Sequence, residues 1–459
     1  MEISPELLER HDQPGPRYTS YPTAVEFTTS FGPDDHAERL RMTADDADAP
    51  LSLYVHLPFC EARCSFCACH VVVARRPSVA DAYLRRVERE AGIVAGLLGE
   101  GRPLVQYHWG GGTPTYYSPE ALARLHRSLT HHFDLRPGAE VAAEVDPRVT
   151  TTEHLETMRE LGFDRLSFGV QDLDPDVQER IGRFQTVEQT VELYETARRL
   201  GYESINLDLV YGLPGQTEAT MTATLDTVVE LRPDRLAVYS FAYVPWMRPH
   251  QRRIAEQDLP DRYRKFRLLS LLAERLTDAG YQPIGMDHYA LPDDELAIAA
   301  VEGTLTRNFM GYTTRRGVGV VALGSSGISD LAGAYAQNHR RLADYYAAVD
   351  RGTLPVERGV ALTDDDLLRR YVITELMCNA TIGDADLRSR FGVGLAEAFA
   401  AELETLTGPG GLVDEGMVTV TPEAVTATDL GRLFIRNLAR VFDARTREPE
   451  DRPVFSRTI

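Results

Sequence analysis

From about residue 50 onward, short apolar runs alternate with longer stretches in which apolar residues recur every three or four positions. A short run rich in β-branched and aromatic residues predicts a strand, and the longer period predicts an amphipathic helix. Six such pairs follow one another. The predicted strands are 51–57, 105–111, 140–147, 164–171, 204–212 and 235–241. The helices predicted after them are 78–98, 119–133, 151–162, 187–201, 217–231 and 261–280.

This alternation predicts the fold class. Neighbouring parallel strands need a crossover connection, and a helix supplies it. Six strand–helix units therefore predict an α/β fold, a partial (β/α)6 barrel similar to the TIM barrel. A flat, open, doubly wound sheet is the alternative. Two more strand-like pieces lie beyond the sixth unit, at 282–290 and 317–327.

The pattern changes near residue 358. Helical stretches are predicted at 365–377, 394–406 and 429–444, with a hairpin-like pair at 411–422. We therefore expect residues 358–459 to form a smaller, mostly helical domain of winged-helix type. Residues 49–357 would form the catalytic part-barrel, and residues 1–48 an N-terminal arm and lead-in. Since the C-terminal segment is not notably basic, it is interpreted as a scaffold or lid and not as a DNA-binding domain.

Charge and composition disfavour several classes of protein. The 49 basic and 69 acidic side chains give a formal net charge of −20, which disfavours a nucleic-acid partner. No apolar run approaches the ~20 residues of a membrane span, and the first twenty residues lack the pattern of a secretory signal. The cysteines, five in number and mostly clustered, suit a reducing compartment better than a disulfide framework. We expect a cytoplasmic enzyme without a membrane span.

Four of the five cysteines lie within ten positions, directly after the first predicted strand. Cys60, Cys64 and Cys67 have the spacing C-x3-C-x2-C, and Cys69 adds a C-x-C step. Thiolates this close on one loop can bind zinc or an iron–sulfur cluster. Structural zinc usually takes four ligands from paired knuckles, whereas three cysteines leave one iron of a [4Fe–4S] cluster open to another ligand. The spacing favours the cluster, at the barrel end where active sites form.

C-x3-C-x2-C at the end of a first barrel strand is typical of the radical S-adenosylmethionine (SAM) superfamily. Other motifs narrow the resemblance and cover nearly the whole chain. They are "GPRYTSYPT" (15–23), "LYVHLPFC" (53–60), "HWGGGTPTY" (108–116), "EVDPR" (144–148), "LSFGVQD" (166–172), "LDLVYGLPGQT" (207–217), "GMDHYA" (285–290) and "RNFMGYTT" (307–314). In this order, they make the chain similar to the HemN-type oxygen-independent coproporphyrinogen III oxidases.

The resemblance implies an activity: oxidative decarboxylation of two propionate side chains of coproporphyrinogen III to vinyl groups, giving protoporphyrinogen IX. It implies a [4Fe–4S] cluster held by Cys60, Cys64 and Cys67, with Cys69 outside the ligand set. It also implies two bound molecules of SAM, a tetrapyrrole substrate, an unidentified electron donor and a monomeric enzyme.

Motif matching carries the cofactor contacts of the family onto this chain, residue by residue. For the first SAM these are Tyr54, Phe66 beside the adenine, Gly111, Gly112 and Thr113, and Glu144 at the ammonium group. For the second SAM they are Gln171, Arg183 and Asp208, while Ala242 and Ile328 would make backbone or packing contacts. Standing alone, the aromatic residues would be assigned to the core and Arg183 to a solvated helix surface. No catalytic acid or base is assigned.

Several cationic groups suit a substrate with four propionates, because arginine binds carboxylates through two parallel hydrogen bonds. Candidates are Arg17 in the N-terminal segment, the stretch 245–253, and Arg307, Arg315 and Arg316.

Two motifs depart from the family pattern. Met310 stands where glutamine is usual, and Ala68 and His70 stand where glycine and asparagine are usual. Two other functions therefore stay open: a related radical SAM methyltransferase or cyclopropanase acting on another substrate, and a related haem-binding protein without decarboxylase activity.

Overall fold

The structure is a computed structural model that describes residues 4–445 and 455–457. Its strands are β1 (Leu51–Leu57), β2 (Phe59–Cys60), β3 (Val72–Val73), β4 (Arg102–Gly111), β5 (Phe133–Val145), β6 (Arg165–Gln171), β7 (Ser204–Tyr211), β8 (Arg235–Ser240), β9 (Gln282–Ile284), β10 (His288–Ala290), β11 (Thr306–Asn308), β12 (Gly311–Thr313), β13 (Gly319–Leu323), β14 (Ile328–Leu331), β15 (Ala334–Asn338), β16 (Val356–Ala361), β17 (Thr381–Gly383), β18 (Val418–Val420) and β19 (Ala424–Ala427).

The helices lie mostly between these strands. They are α1 (Pro5–His11), α2 (Pro33–Ala44), α3 (Pro77–Leu98), α4 (Pro119–His132), α5 (Thr152–Glu160), α6 (Pro175–Ile181), α7 (Val187–Arg199), α8 (Glu218–Leu231), α9 (Arg262–Asp278), α10 (Glu295–Glu302), α11 (Leu342–Asp350), α12 (Asp364–Asn379), α13 (Asp384–Phe391), α14 (Leu395–Ala398), α15 (Ala400–Thr407), α16 (Asp429–Leu433) and α17 (Ile435–Val441).

Twelve of the described strands form one sheet in the order β16-β15-β14-β13-β1-β4-β5-β6-β7-β8-β10-β9. The strands β1, β4, β5, β6, β7 and β8 are parallel neighbours, and helices connect each of them to the next. The predicted α/β part-barrel is therefore confirmed. A seventh parallel strand, β13, pairs with β1, and antiparallel strands extend the sheet at both ends.

Alternation along the barrel strands separates a packed outer face from a polar inner face. In β1, the side chains of Leu51, Leu53, Val55 and Leu57 are buried and join the main hydrophobic core with apolar residues of α3 and α4. Successive strand residues point to opposite faces, so Ser52, Tyr54 and His56 face the barrel interior. Polar chemistry therefore gathers inside the barrel, towards the carboxyl ends of the strands.

The C-terminal region is built from α12–α17 and a three-stranded sheet, β17-β19-β18, in agreement with the expected helical domain. Details differ from the sequence prediction. The helices predicted at 394–406 and 429–444 are each broken, at Phe399 and Phe434, where non-helical dihedral angles turn the chain and bury both rings. The hairpin predicted at 411–422 lies later, at β18–β19.

The positions of some strands refine the pattern expected from the sequence. The sheet continues through β16 to Ala361, beyond the boundary expected at residue 358. The strand-like piece 282–290 is two antiparallel strands, because Gly285 adopts a φ of +57° and turns the chain between β9 and β10. Within the expected C-terminal domain, residues 446–454 and 458–459 lie outside the described part of the chain.

The N-terminal arm is not a simple lead-in to the barrel. Leu8, Tyr18 and Tyr21 are buried in the same hydrophobic cluster as the C-terminal helices. Arg436 of α17 donates hydrogen bonds to the carbonyl oxygens of Gly15 and Pro16. The arm thus packs against the C-terminal region. Among the described residues, no helix combines the length and apolarity needed to cross a bilayer.

Candidate active site

A cavity of about 400 Å³ lies at the carboxyl ends of the barrel strands, and we call it the catalytic cavity. Most of the residues that the sequence predicted for cofactor binding line it: Cys60, Cys64, Cys67, Phe66, Gly111, Gly112, Thr113, Glu144, Gln171, Arg183, Asp208 and Ala242. Tyr54 and Ile328 are not among the lining residues. The Tyr54 hydroxyl lies 3.1 Å from His56 Nδ1, and Ile328 begins β14, opposite Gln337. The roles of all these residues stay predictions.

The loop that carries the cysteines, residues 60–71, is held by hydrogen bonds to two other segments of the chain. The Ser65 N–H donates to the Ile181 carbonyl (2.8 Å), and His250 Nε2 lies 2.8 Å from the Cys67 carbonyl oxygen. Gln251 Nε2 donates to the Phe66 carbonyl (3.2 Å). These bonds fix the loop backbone, so the thiols are presented to the cavity without a large ordering cost.

The thiols have different proton affinities. Burial raises the pKa of Cys60 to about 11, although its Sγ lies 3.3 Å from Thr113 Oγ1. A hydrogen bond with Cys69 lowers the pKa of Cys67 to about 7, and the same pairing raises the pKa of Cys69. Since the thiolate is the form that binds metals, Cys67 is deprotonated for ligation more readily than Cys60.

Cations surround the third thiol. Cys64 Sγ lies 3.6 Å from Arg148 Nη2 and 3.7 Å from Arg183 Nη1. Two guanidinium groups beside one sulfur favour an anionic centre, because opposite charges in a poorly solvated site attract strongly.

These features suit a [4Fe–4S] cluster. Three thiols of one loop face a common cavity, and cations compensate the negative charge of a thiolate-ligated cluster. Within the described residues, no three His, Cys, Asp or Glu side chains converge on a position for a single metal ion. A cluster needs no such convergence, because each thiolate binds a different iron.

The glycine turn after β4 brings backbone close to the cysteine loop. Gly111 has a φ of +119°, a conformation that side chains rarely adopt. The Gly112 N–H donates to the Leu57 carbonyl (2.9 Å), and a Cβ added at Gly112 would lie 2.5 Å from the Pro58 carbonyl carbon. Only glycine fits there, and the resulting surface is open backbone that a ligand can approach.

Glu144 ends β5 and faces this turn. The Gly111 N–H donates to its Oε2 (3.0 Å), and His108 Nε2 lies 3.6 Å from its Oε1. Burial opposes ionisation, but the interactions with His108 and Gly111 lower the pKa of Glu144 below its ordinary value. The side chain is therefore a carboxylate at neutral pH and can bind an ammonium group.

Asp208 on β7 has the opposite character. Burial, together with the negative charge of Glu144, raises its pKa to about 7. Asn206 Nδ2 and Ser167 Oγ both donate to its Oδ1, at 2.7 and 3.2 Å. Asp208 also lines the catalytic cavity, where its carboxylate can accept a hydrogen bond from a ligand hydroxyl.

Asp146 joins the two arginines beside Cys64 and was missed in the sequence analysis. It accepts from Arg183 (3.0 Å) and from Arg148 (2.6 Å). Burial alone would raise its pKa, but the charge of Arg183 and the bonds from Arg148 lower it. The signal lay inside "EVDPR", of which only Glu144 was chosen. Asp146 is the shared carboxylate that positions both guanidinium groups.

We expect Asp146→Asn to destabilise the apoprotein by about 3 kcal/mol, because it leaves the buried guanidinium of Arg183 and the largely buried one of Arg148 without a counter-charge. Asp258→Asn is the matched control: it removes an ion pair with Arg180 in which both side chains are well exposed (45% and 34%), and it should cost at most about 1 kcal/mol. Urea denaturation followed by circular dichroism and fluorescence measures both. Equal losses for the two variants would contradict the structural role of Asp146.

A second cavity of about 140 Å³ lies inside the barrel and shares Glu144, Ser167, Asp208 and Tyr239 with the catalytic cavity. We call it the inner cavity. Met310, the departure from the family pattern, lines its wall beside Asn308 and Tyr312 of the β11–β12 hairpin. Met310 places an apolar thioether where the family pattern has an amide, in a lining that mixes polar residues with apolar ones such as Leu166 and Leu296.

Comparison with known proteins places these features in a family. The radical SAM superfamily matches residues 54–228, and the HemN C-terminal domain matches residues 362–434. A protein from Escherichia coli named oxygen-independent coproporphyrinogen III oxidase is 43% identical over 99% of this chain and 98% of its own. Proteins of the same name from Synechocystis sp. and Pseudomonas aeruginosa are 40% and 42% identical, each over at least 98% of both chains.

The solved structures include a relative of the same name. The structure of coproporphyrinogen III oxidase (HemN) from Escherichia coli, described as a radical SAM enzyme, matches with a TM-score of 0.90 and 42% identity. The match covers 94% of this chain and 98% of that one. The match therefore takes in most of both the part-barrel and the C-terminal region. The chain belongs to the family of oxygen-independent coproporphyrinogen III oxidases.

Proposed function

We propose that this protein converts coproporphyrinogen III to protoporphyrinogen IX without oxygen, as a radical SAM oxidoreductase of haem biosynthesis. Each of two propionate side chains loses a hydrogen atom, CO2 and one electron, and becomes a vinyl group. One observation carries the proposal: Cys60, Cys64 and Cys67 face one cavity with the glycine turn, Glu144 and Asp208, in a chain related to these enzymes over its full length.

Cys60, Cys64 and Cys67 would hold a [4Fe–4S] cluster beside bound SAM. When bound, the cluster and SAM supply the radical chemistry that removes hydrogen from a propionate. Arg148 and Arg183 would balance the charge of the ligated cluster, because both lie against Cys64. Asp146 keeps these two groups in place.

The carboxylates differ in protonation, and the difference suits different partners. The Glu144 carboxylate would accept from the ammonium group of SAM, since its pKa is lowered. Asp208, with a pKa near 7 in the protein alone, would accept from ribose hydroxyls, which need no full negative charge. Gln171, whose φ of +70° turns its side chain at the end of β6, lies beside Arg183 at the same end of the cavity.

We infer that two SAM molecules bind. The catalytic cavity and the inner cavity share a wall, and together they extend from the cysteine loop to the β11–β12 hairpin. The first molecule would lie against the glycine turn and Glu144, and the second against Gln171, Arg183 and Asp208.

We also infer a monomeric, cytoplasmic enzyme that takes electrons from an external one-electron donor. The described cysteines are free thiols, as expected in a reducing compartment. The donor is needed because SAM cleavage by a reduced cluster consumes an electron that the described residues do not supply.

A methyltransferase or cyclopropanase acting on another substrate is the second candidate. Met310 favours it, because an apolar side chain in the inner cavity removes a hydrogen-bonding amide from the region where the second SAM would bind. The relation to the coproporphyrinogen oxidases over at least 98% of both chains favours the first candidate.

An anaerobic assay separates the candidates. The purified protein is reconstituted with iron and sulfide, reduced with dithionite, and given SAM and coproporphyrinogen III. We expect two successive losses of CO2 and two hydrogens by mass spectrometry, together with 5′-deoxyadenosine. Formation of 5′-deoxyadenosine without a vinyl product would point to another substrate. Absence of both the cluster and SAM cleavage, with tight haem binding, would support the haem-binding alternative.

A further inference from the structure

A cavity of about 480 Å³ lies between the barrel part of the chain and the C-terminal region, and we call it the junction cavity. Its walls come from the β11–β12 hairpin and the loop after it, from β14, and from α12 and α13. Among the described residues, none lines both this cavity and the catalytic cavity, and Asn308 alone lines both this cavity and the inner cavity. The junction cavity is therefore distinct from the catalytic cavity.

The lining of the junction cavity is rich in arginine. Five guanidinium groups and two carboxylates line it, in a chain whose formal net charge is −20. The arginines are Arg307, Arg315, Arg316, Arg370 and Arg390, and the carboxylates are Asp330 and Glu375. The sign of the charge in this cavity is thus opposite to that of the whole protein.

Both carboxylates of the cavity are already paired. Glu375 accepts hydrogen bonds from Arg316 and from Asn379 (2.7 Å). Asp330 accepts from Arg370 Nη1 (3.0 Å). Each carboxylate compensates one guanidinium group, so three of the five guanidinium groups have no carboxylate partner among the described lining residues.

Two of these three arginines lie beside the β11–β12 hairpin. Arg307 stacks on the Tyr312 ring (4.9 Å), and its Nη1 donates to the Arg17 carbonyl (3.4 Å). Arg315 Nη2 donates to the Gly138 carbonyl (3.4 Å). In both side chains Nε is buried and has no hydrogen-bond partner in the described part of the chain. A carbonyl or a ring does not cancel the positive charge, and part of the donor capacity of both groups is unused.

The third arginine, Arg390, is exposed near the end of α13. Its guanidinium group lies 4.9 Å from the centre of the Tyr371 ring, so its contact is with a ring and not with a carboxylate. Burial, the charge of Glu375 and, to a smaller extent, that of Asp386 raise the pKa of Tyr371. Asp386 is thus near this ring, but it is not among the residues that line the cavity.

The charge of the junction cavity indicates the kind of ligand that it can hold. Like charges that share a cavity repel one another, and an anion that enters removes this cost. Guanidinium groups match phosphate oxygens through parallel hydrogen bonds. A phosphate group carries about −1.5 to −2 charges near pH 7, whereas a carboxylate carries one. Two linked phosphate groups therefore compensate three guanidinium groups that are spread over one cavity.

We propose that the junction cavity binds a diphosphate group, held by Arg307, Arg315 and Arg390. The first two belong to the barrel part of the chain and the third to the C-terminal region, so the ligand links the two parts. The rings of Tyr371 and Phe391, with centroids 5.6 Å apart, form an aromatic wall beside Arg390. Free diphosphate and a nucleoside diphosphate both offer this chemistry.

Isothermal titration calorimetry on the purified full-length chain tests the proposal. The protein is used before iron and sulfide are added, so that diphosphate has no iron to chelate. At constant ionic strength, inorganic diphosphate should bind as one molecule per chain and at least about 10-fold more tightly than inorganic phosphate, because it makes additional charge-assisted hydrogen bonds. No binding of diphosphate, or equal affinities for diphosphate and phosphate, would overturn the proposal.

Charge-removing variants locate the site. Arg390→Gln and Arg315→Gln should each weaken diphosphate binding by about 10- to 100-fold, the effect of losing a charge-assisted hydrogen bond. Because Arg390 is exposed, its variant should keep the fold. Arg432→Gln is the matched control: Arg432 is an exposed arginine of the same C-terminal region, outside the lining of this cavity, and its loss changes the net charge equally. Equal affinities for Arg390→Gln and Arg432→Gln would contradict the site.

ADP distinguishes the two sources of the diphosphate group. Tighter binding of ADP than of inorganic diphosphate would identify a nucleoside diphosphate as the ligand, with its base against the aromatic wall. Equal or weaker binding of ADP would identify diphosphate itself.

A second measurement needs no variant. Phenylglyoxal modifies accessible arginine side chains, and mass spectrometry reports the extent of modification at each position. Saturating diphosphate should slow the modification of Arg390 at least about 10-fold and leave that of Arg432 unaffected. Protection of neither arginine, or equal protection of both, would overturn the proposal.

The diphosphate site and the proposed function are tested independently. Neither binding measurement needs SAM, the cluster or the tetrapyrrole. Diphosphate binding can therefore fail in a protein that makes protoporphyrinogen IX in the anaerobic assay, and the assay can fail in a protein that binds diphosphate.

Discussion

A Cys64→Ala variant is expected to hold no complete iron–sulfur cluster after reconstitution. Its activity should fall more than about 100-fold, because removing even a residue that only hydrogen-bonds to a metal ligand lowers activity by up to that factor. The sulfur of Cys64 lies against Arg148 and Arg183, so alanine would leave two cations facing an empty position. Reconstitution, iron and sulfide analysis, and visible absorption measure the cluster. The anaerobic assay measures the activity.

Cys69→Ser is the matched control, because Cys69 lies in the same loop and cavity but outside the C-x3-C-x2-C set. It should retain the cluster and most of the activity. Loss of the cluster in both variants would mean that Cys69 is a ligand. Retention of a full cluster by Cys64→Ala would contradict the assignment of Cys64.

Gly112→Ala should reduce kcat/KM by about 100-fold, the usual effect of displacing catalytic groups by about 1 Å. A Cβ at this position would lie 2.5 Å from both the carbonyl carbon and the oxygen of Pro58. These are backbone atoms, so the contact can be relieved only by moving the segment that leads into Cys60. The thiol would be displaced with it, and the cavity surface that SAM would approach would be altered.

Gly96→Ala is a suitable control, because Gly96 lies inside α3 and an added Cβ would meet no atom within 4 Å. That change should leave activity unaffected and stabilise the helix by up to about 1 kcal/mol. SAM affinity, measured by equilibrium binding, should fall for Gly112→Ala only. Wild-type SAM affinity and kcat/KM in Gly112→Ala would show that the loop accommodates the added methyl group without loss of function.

Much of the barrel could be predicted because each strand and helix is determined by the pattern of its own residues. Each barrel strand is a buried apolar run followed by an amphipathic helix, and the period of two places Glu144 and Asp208 on the inner face without knowledge of the rest of the chain. The cysteine loop and the glycine turn follow adjacent strands, and adjacent parallel strands bring their carboxyl ends together. The catalytic cavity could therefore be anticipated from the order of the motifs.

Other features depend on contacts between distant segments, and such contacts leave no hydrophobic periodicity in the sequence. Phe399 and Phe434 look like helix residues in sequence, and only their burial in the C-terminal core explains the breaks there. The strands β14–β16 are short and antiparallel and share no burial pattern: β14 alternates over only four residues, β15 is buried throughout, and β16 is irregular. Arg390 was passed over because it lies outside every motif. The junction cavity brings it together with Arg307 and Arg315, which no sequence pattern records.

The contact between Arg436 and Gly15 joins residues 421 positions apart in the chain. A chain is synthesised from its amino end, so the N-terminal arm is made first and Arg436, which binds it, is made almost last. The final barrel strand, β13, is complete more than a hundred residues before Arg436 is synthesised. At the usual translation rate of ~5–20 residues per second, the completed barrel thus exists for on the order of ten seconds before the arm can contact Arg436. During this interval the arm, whose Arg17 lines the catalytic cavity, is not yet hydrogen-bonded to the last helix, so that wall of the cavity is completed only at the end of synthesis.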